Sequence, residues 1–87
     1  MKLNYTKAFK KSYKRRVQGN RSLRVKFEER IRLFSSNPNH PLLRNHKLVG
    51  AKLGMFAIWI TGDVRAVYVI KDGEVYFIDV GTHNQVY

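Results

Sequence analysis

Residues 55–80, MFAIWITGDVRAVYVIKDGEVYFIDV, decide the fold. Three runs within this stretch are rich in Val, Ile, Tyr and Phe, the residues that favour pleated strands. They predict β-strands over Met55–Thr61, Val64–Ile70 and Val75–Val80. Gly62-Asp63 separates the first two strands and Asp72-Gly73 the last two, and the second pair is a strong signal for a type I′ hairpin turn. The stretch therefore predicts two successive hairpins of one antiparallel sheet.

Two amphipathic helices are predicted upstream of the strands. Thr6 is a suitable N-cap for the first helix, whose apolar residues recur at the helical spacing i, i+4, i+8, namely Phe9, Tyr13 and Val17. Gly19-Asn20 ends this helix. The second helix starts at Ser22 and stops just before Pro38, and its apolar stripe consists of Leu23, Phe27, Ile31 and Phe34. Each helix thus has one face to bury.

The order of these elements predicts an α+β fold in a single domain over residues 1–87. A short extended start over residues 2–5 precedes the helices, and an irregular connector over residues 37–53, which leaves room for a short extended piece, leads to the three strands. The resulting order is βααβββ. Since both helices need an apolar surface to cover, we expect them on one face of the antiparallel sheet.

The composition indicates one small folded domain with a polyanionic partner. The chain has 87 residues, of which 44% are hydrophobic, and it is too short for a two-domain enzyme. A net charge of +11 exceeds what solubility requires of a small domain.

The absence of cysteine excludes a disulfide framework, a thiolate metal site and a Cys nucleophile. Because neither a signal peptide nor a membrane span is evident, we expect a cytoplasmic protein without membrane contact.

The basic residues are concentrated in the helical half of the chain. Residues 1–50 contain 14 of the 17 Lys and Arg residues but only 2 of the 6 acidic residues. On the first helix they lie opposite the apolar stripe, a pattern that is also typical of an ordinary solvated face. Because so few acidic residues offset them, we interpret them as an electrostatic surface for nucleic acid, with Lys10, Lys14 and Arg15 among the contacts.

A carboxylate, a guanidinium and an imidazole are predicted to meet at one edge of the sheet. If both hairpins have two-residue loops, Arg65 pairs with Ile60 on one side and with Val80 on the other. Asp63 then lies in the first turn and His83 just beyond the last strand. This convergence, on a chain whose charge favours a phosphate ligand, predicts a functional site.

Each of these residues also has an ordinary structural interpretation. Asp63 suits a Gly-Asp turn, and His83 suits an exposed loop. Arg65 lies in an apolar strand and needs an anion, which is either a carboxylate such as Asp63 or Asp79 or a bound phosphate. The sequence leaves these alternatives open. Trp59 is expected as a diagonal neighbour of the group.

The sequence gives little support to a metal site, a phosphate-binding loop or a serine nucleophile. The three histidines, His40, His46 and His83, lack the spacing of zinc ligands, and no glutamate accompanies them. The glycines are scattered rather than gathered in a phosphate-binding loop, and no serine nucleophile elbow is present. We therefore expect no metal and no cofactor, and either acid–base chemistry on a phosphodiester or no chemistry.

A set of short motifs runs in order through the second half of the chain, with HKLVG at 46–50, Gly54, ITGDVRAVY at 60–68 and GTHNQVY at 81–87. This set resembles the RelE/ParE superfamily of type II toxins, and within it the RelE-like and YafQ-like mRNA endonucleases. The βααβββ order and the basic helices extend the resemblance to the whole chain. It implies a small RelE-like fold, an RNA-cleaving site on the sheet and an acidic antitoxin that wraps the toxin.

The resemblance also implies roles for the matching positions. His46, Asp63 and His83 match the acid–base residues of YafQ-like members. Arg65 matches the strand arginine that contacts the scissile phosphate in RelE-like and YoeB-like members. Tyr87 is similar to a C-terminal tyrosine that some members use.

Two positions depart from the family patterns. Trp59 stands where YafQ-like members have a further histidine, and Leu42 stands where YoeB-like members have a glutamate general base. The division of acid and base roles therefore stays open at this point.

The implied activity is metal-independent cleavage of mRNA on the ribosome, by attack of the 2′-hydroxyl on the neighbouring phosphate. Lys47, Lys52 and Tyr87 are then expected to contact the RNA. The expected partners are mRNA, the ribosome and an acidic antitoxin. Two other functions remain open, a ParE-like toxin that acts on DNA gyrase without cleavage, and a basic RNA- or ribosome-binding module without turnover.

Overall fold

The computed structural model describes residues 1–87 and contains three α-helices and a five-stranded sheet. In chain order the elements are β1 (Leu3–Tyr5), α1 (Lys7–Arg16), α2 (Arg21–Ser36), β2 (His46–Lys47), β3 (Phe56–Trp59), β4 (Val64–Lys71), β5 (Glu74–Thr82) and α3 (His83–Val86). Two short 3₁₀ turns, Pro41–Leu43 and Gly50–Lys52, lie on either side of β2. None of the helices combines the length and the apolar character that a membrane crossing requires.

The predicted α+β fold is confirmed, with two additions at positions where the sequence pattern is weak. The βααβββ order is present, but β2 is added as the short extended piece for which the connector left room, and α3 follows the last strand. Both additions are only two to four residues long, which is too short for a hydrophobic period to be visible in the sequence.

The helix boundaries follow from side-chain caps. The hydroxyl of Thr6 accepts a hydrogen bond from the backbone N–H of Phe9 at 3.2 Å, which confirms Thr6 as the N-cap of α1. The side chain of Asn20 does the same for Leu23 at 3.1 Å, so α2 begins at Arg21, one residue before the predicted start at Ser22.

The sheet has the order β1-β5-β4-β3-β2, with one pair of strands that is not antiparallel. β1 runs parallel to β5, whereas the other three pairs are antiparallel. The expectation of a wholly antiparallel sheet is therefore wrong at this edge. The helical pair α1–α2 connects β1 to the remainder of the sheet, and such a crossover is what a parallel neighbour requires.

The predicted turn between β4 and β5 is confirmed. Asp72 and Gly73 have φ values of +53° and +77°, and positive φ at both central residues is the mark of a type I′ turn. Lys71 pairs with Glu74 directly across the turn, as two-residue loops require.

The predicted register of Arg65 is wrong on both sides. On β3 its partner is Trp59 rather than Ile60, because the hydroxyl of Thr61 accepts the backbone N–H groups of Asp63 and Val64 and draws Thr61 into the turn. On β5 its partner is Gly81 rather than Val80.

A β-bulge in β5 causes the second shift. Tyr68 pairs with Phe77 but Val67 pairs with Asp79, so Ile78 is an extra residue on β5. A bulge of this kind changes the register of every residue beyond it, and the sequence carries no local sign of it.

Each face of the sheet has its own core. α1 and α2 cover one face, where Phe9, Phe27 and Phe34 pack on Tyr68 and Phe77. The helices therefore lie on one face, as expected. A smaller cluster on the other face consists of Leu48, Ala57, Val67 and Val86, with α3 supplying the last of them. Side chains alternate along strands, so Trp59 and Arg65 share this second face with Ala57 and Val67.

Candidate active site

A pocket of about 480 Å³ opens on the second face of the sheet, at the end where β4 begins and β5 ends. Five separate parts of the chain line it. The connector before β2 contributes Arg44 and β2 contributes His46, while Trp59 and Arg65 come from β3 and β4, and His83 and Tyr87 from the C-terminal end of the chain. The sheet register and the start of α3 thus determine which side chains meet here.

Arg65 is a buried cation without a carboxylate partner. It is only 8% exposed, yet its guanidinium forms no ion pair. One terminal nitrogen, Nη1, donates to the backbone carbonyls of Thr61 at 3.0 Å and Val64 at 3.4 Å. Since a guanidinium has five N–H donors and no acceptor, the remaining donors stay available on the pocket side.

Arg65 forms no ion pair, so the structural alternative that the sequence left open is not observed. Asp79, one of the two carboxylates considered, binds Arg16 of α1 at 3.1 Å. The other, Asp63, forms no ion pair and no side-chain hydrogen bond in the structure. Arg65 therefore has no carboxylate partner within the chain, an arrangement that is costly for a buried charge.

Trp59 supports the guanidinium of Arg65 from the neighbouring strand. The guanidinium carbon of Arg65 lies 3.9 Å from the centre of the indole ring. A cation at this distance is attracted by the ring electrons, and the planar guanidinium keeps its edge free for hydrogen bonds. Trp59 thus holds the cation without neutralising it.

His46 lies on the edge strand β2, opposite Ala57, and faces the pocket. Its ring nitrogen Nδ1 is 2.7 Å from the backbone carbonyl oxygen of Arg44. A carbonyl oxygen can only accept, so Nδ1 carries the hydrogen in this contact. In the neutral imidazole Nε2 is then unprotonated and able to take up a proton.

His83 is the first residue of α3, and its position depends on how that helix starts. Thr82 is the N-cap, and the side chain of Gln85 accepts the backbone N–H of Thr82 at 2.8 Å, which completes a capping box. One turn later the Tyr87 ring packs edge-on against the His83 imidazole, with centroids 4.5 Å apart. The imidazole is exposed on its remaining sides.

Tyr87 contributes a neutral phenol to the pocket. Partial burial raises its pKa above the ordinary value of 10.0, and the positive charge of Arg65 acts in the opposite direction. The hydroxyl therefore stays protonated at neutral pH and can donate a hydrogen bond.

Asp63 lies at the same edge of the sheet but does not line the pocket. Val64 pairs with Thr82, and beyond this pair the two strands end, Asp63 lying in the turn and His83 in α3. Its exposed carboxylate makes no contact with the imidazole, however. Of the four residues predicted to act in catalysis, the structure brings together His46, Arg65 and His83.

The residues predicted to contact RNA are spread over both faces. Lys47 follows His46 in β2, and alternation directs it to the helix-covered face. Lys52 lies in the second 3₁₀ turn and outside the pocket. Lys10, Lys14 and Arg15 are on α1, which packs on the face opposite the pocket.

Sequence reasoning missed Arg44. Its guanidinium carbon lies 4.2 Å from the centre of the Trp59 ring, and it lines the pocket beside His46. No pattern in the sequence marks Arg44, because it lies before β2 in a left-handed conformation to which the alternation of strand residues does not apply. No three His, Asp or Glu side chains in the chain are grouped in a way that could hold a metal ion.

Comparison with known proteins gives one matching family and several similar structures. The sequence profile of a family described as "Bacterial toxin of type II toxin-antitoxin system, YafQ" matches residues 1–87. A comparison with curated proteins finds no significant match.

The similar structures span nearly the whole chain. A copper-bound mutant toxin from Helicobacter pylori is 28% identical, with a TM-score of 0.78 over 100% of this chain and 99% of that one. YafQ from Escherichia coli strain BL21(DE3) is 21% identical, with a TM-score of 0.82 over 98% and 96%. YafQ in the Escherichia coli DinJ–YafQ toxin–antitoxin complex is 21% identical, with a TM-score of 0.80 over 98% and 94%.

Proposed function

Because the chain belongs to the YafQ family of bacterial type II toxins, we propose that it is an endoribonuclease that cleaves mRNA on the ribosome and so inhibits translation. The 2′-hydroxyl of the RNA is the nucleophile, so the reaction needs no metal ion. The observation that carries this proposal is the buried Arg65 guanidinium, which has no carboxylate partner and shares a pocket with two imidazoles.

The reaction needs a base, an acid and a cation, and the pocket contains candidates for all three. His46 takes the proton of the 2′-hydroxyl at Nε2, because the hydrogen bond from Nδ1 to the Arg44 carbonyl makes Nε2 the acceptor nitrogen of the neutral ring. The 2′-oxygen then bonds to phosphorus while the bond from phosphorus to the 5′-oxygen breaks. His83 donates a proton to that oxygen, and the products are a 2′,3′-cyclic phosphate and a 5′-hydroxyl.

Arg65 binds the charge that develops on the phosphate oxygens. Its free donors are held in place by the Thr61 carbonyl and the Trp59 ring before the substrate arrives, so little reorganisation is needed in the transition state. The neutral phenol of Tyr87 is a further donor, and its packing against His83 restricts the imidazole. Asp63 is the proposed partner of the protonated His83, because it precedes Val64, which pairs with the Thr82 that precedes His83.

The test is cleavage of mRNA by the purified protein, with and without ribosomes and in the presence of a chelator. We expect His46→Ala, His83→Ala and Arg65→Ala each to lower the cleavage rate by about 100-fold or more, since a positioned acid or base contributes about that much. His40→Ala is the matched control, because His40 lies outside the pocket and its ring accepts the backbone N–H of Leu42.

Two outcomes would contradict the proposal. Loss of cleavage on chelation would show that a metal ion is required. RNA binding without cleavage, in the presence of ribosomes, would instead indicate a basic binding module without turnover.

The proposed protein partner is an acidic antitoxin, and the proposed compartment is the cytoplasm, where mRNA and ribosomes occur. The net charge of +11 provides the complementary surface for an acidic chain. The solved complex of the similar YafQ with DinJ supports a partner of this kind.

A further inference from the structure

The indole ring of Trp59 contacts two guanidinium groups. The guanidinium carbon of Arg65 lies 3.9 Å from the ring centre and that of Arg44 lies 4.2 Å from it. Arg65 belongs to β4 and Arg44 precedes β2, and these two strands border β3 on opposite sides. The ring therefore contacts one guanidinium from each of the two segments that flank β3.

Neither cation is neutralised by the protein. Ion pairs in the chain involve other residues, Arg16 with Asp79 and Lys26 with Glu29. Arg44 and Arg65 nevertheless line the same pocket as His46 and His83. Two like charges kept this close raise the energy of the empty pocket, and an anion between or beside them lowers it.

The position of Arg44 is set by its backbone as well as by the ring. Its φ is +46°, in the left-handed region that L-residues other than Asn and Asp rarely adopt. In this conformation it closes the 3₁₀ turn Pro41–Leu43, and its carbonyl accepts the hydrogen of His46 Nδ1. The same residue thus orients the proposed base and directs a second cation into the pocket.

We propose that Arg44 and Trp59 form a second phosphate subsite, which binds the phosphate next to the scissile one in an RNA strand. The two guanidinium groups contact one indole ring, so a single RNA strand that lies across the pocket can reach both of them. Arg65 takes the scissile phosphate and Arg44 takes its neighbour, and the indole supports both cations. This inference rests on the proposed function, because it takes RNA as the substrate.

The test compares short RNAs that cannot be cleaved because the nucleophilic 2′-hydroxyl is methylated. One probe has all its phosphates, and two others carry a single neutral methylphosphonate on the 5′ or the 3′ side of the blocked bond. The dissociation constant of each is measured by fluorescence anisotropy. For the wild type we expect one of the two neutral probes to bind about tenfold more weakly, since it cannot form a charge-assisted hydrogen bond at the neutral position.

Arg44→Gln should weaken binding of the fully charged probe by about the same factor. The substitution should not further weaken binding of the neutral probe that the wild type already binds more weakly, because that probe lacks the charged phosphate that Arg44 binds. The slope of log affinity against log salt concentration should fall by about one for the charged probe. Arg32→Gln is the matched control, since Arg32 is an exposed arginine of α2 outside the pocket, and its effect should be equal on all three probes.

Trp59 is a positioning residue in this scheme, and two substitutions separate its roles. Trp59→Phe keeps an aromatic face, so the difference between the charged and neutral probes should persist. In Trp59→Leu the leucine fills part of the space of the indole but has no aromatic face, so the difference in affinity between the charged and neutral probes should become smaller. Circular dichroism of each variant shows whether the fold is retained.

Equal effects of Arg44→Gln on all three probes would overturn the subsite, as would equal wild-type affinity for them. These results are distinct from failure of the nuclease proposal. If the wild type discriminates between the probes through Arg44 but never cleaves unmodified RNA, the subsite stands and the catalytic proposal fails.

Discussion

Gly81 lies directly across the sheet from Arg65, in a place without room for a side chain. A Cβ there would lie 2.6 Å from Gln85 Oε1 and 2.9 Å from Arg16 Nη1. Both atoms already form hydrogen bonds, Gln85 with the backbone N–H of Thr82 and Arg16 with Asp79 and the Val80 carbonyl. A glycine at this position therefore allows the contacts that start α3 and place His83.

We expect Gly81→Ala to lower the free energy of unfolding by about 1–2 kcal/mol, because one or two of these hydrogen bonds must break. The cleavage rate should fall as well, because displacement of Gln85 removes the cap that positions His83. Urea unfolding and a cleavage assay measure the two effects. Gly19→Ala is the control, since nothing lies within 4 Å of a Cβ there. An unchanged cleavage rate in Gly81→Ala would show that the Gln85 cap is not needed to position His83.

At the scale of elements, the β4–β5 hairpin joins the two cores. Phe77 and Val80 both have fully buried side chains in the helix-side cluster, although strict alternation would place them on opposite faces. The bulge at Ile78 resolves this conflict, because the extra residue returns Val80 to the helix side and lets Ile78 pack in the second cluster. The bulge also puts Gly81 opposite Arg65.

The type I′ turn of this hairpin lies at the end remote from the pocket. Gly73→Ala should lower the free energy of unfolding by about 1–2 kcal/mol, because φ of +77° is unfavourable for alanine. The cleavage rate of the folded protein should not change. Gly62→Ala in the other turn is the control, because Gly62 has an ordinary φ and open space for a Cβ. A similar loss of stability in both variants would contradict the backbone explanation.

The molecule as a whole presents positive charge on two opposite sides. The exposed lysines and arginines of α1 lie on the side of the sheet that the helices cover, and the pocket with Arg44 and Arg65 lies on the other side. A short oligonucleotide cannot contact both surfaces at once. If both surfaces bind nucleic acid, the helix surface binds a long RNA or the ribosome, and the pocket binds the RNA segment that contains the cleaved bond.

Charge reversal at Lys10, Lys14 and Arg15 tests this division. Affinity for ribosomes or long RNA should fall, and the salt slope should decrease by about 0.7 for each single-strand phosphate that the variant no longer neutralises. Affinity for a trinucleotide should stay unchanged at physiological salt, where charges beyond about 8 Å are screened. Replacement of Lys10 and Lys14 by Arg keeps the charge and should have no effect. A salt slope equal to that of the wild type would exclude the helix surface as a binding site.

Local chemistry made several features predictable. The period of the apolar residues predicts α1 and α2, the Thr6 hydroxyl predicts the start of α1, and Asp72-Gly73 predicts the type I′ turn. Each of these depends on residues close together in the chain. The motif resemblance, together with the hairpin order, also pointed to His46, Arg65 and His83, which the structure places around one pocket.

The sequence by itself thus determined the two long helices, the three main strands, their order and most of the chemical groups at the pocket, but not β2 and α3. Only the tertiary structure decided the register of Arg65, because the Thr61 turn and the Ile78 bulge each shift the pairing by one residue. It also decided that Asp79 binds Arg16, which leaves Arg65 unpaired, and that Arg44 reaches Trp59. The physical reason is that these contacts join residues distant in the chain, and their distances depend on how the helices and strands pack, which no local pattern records.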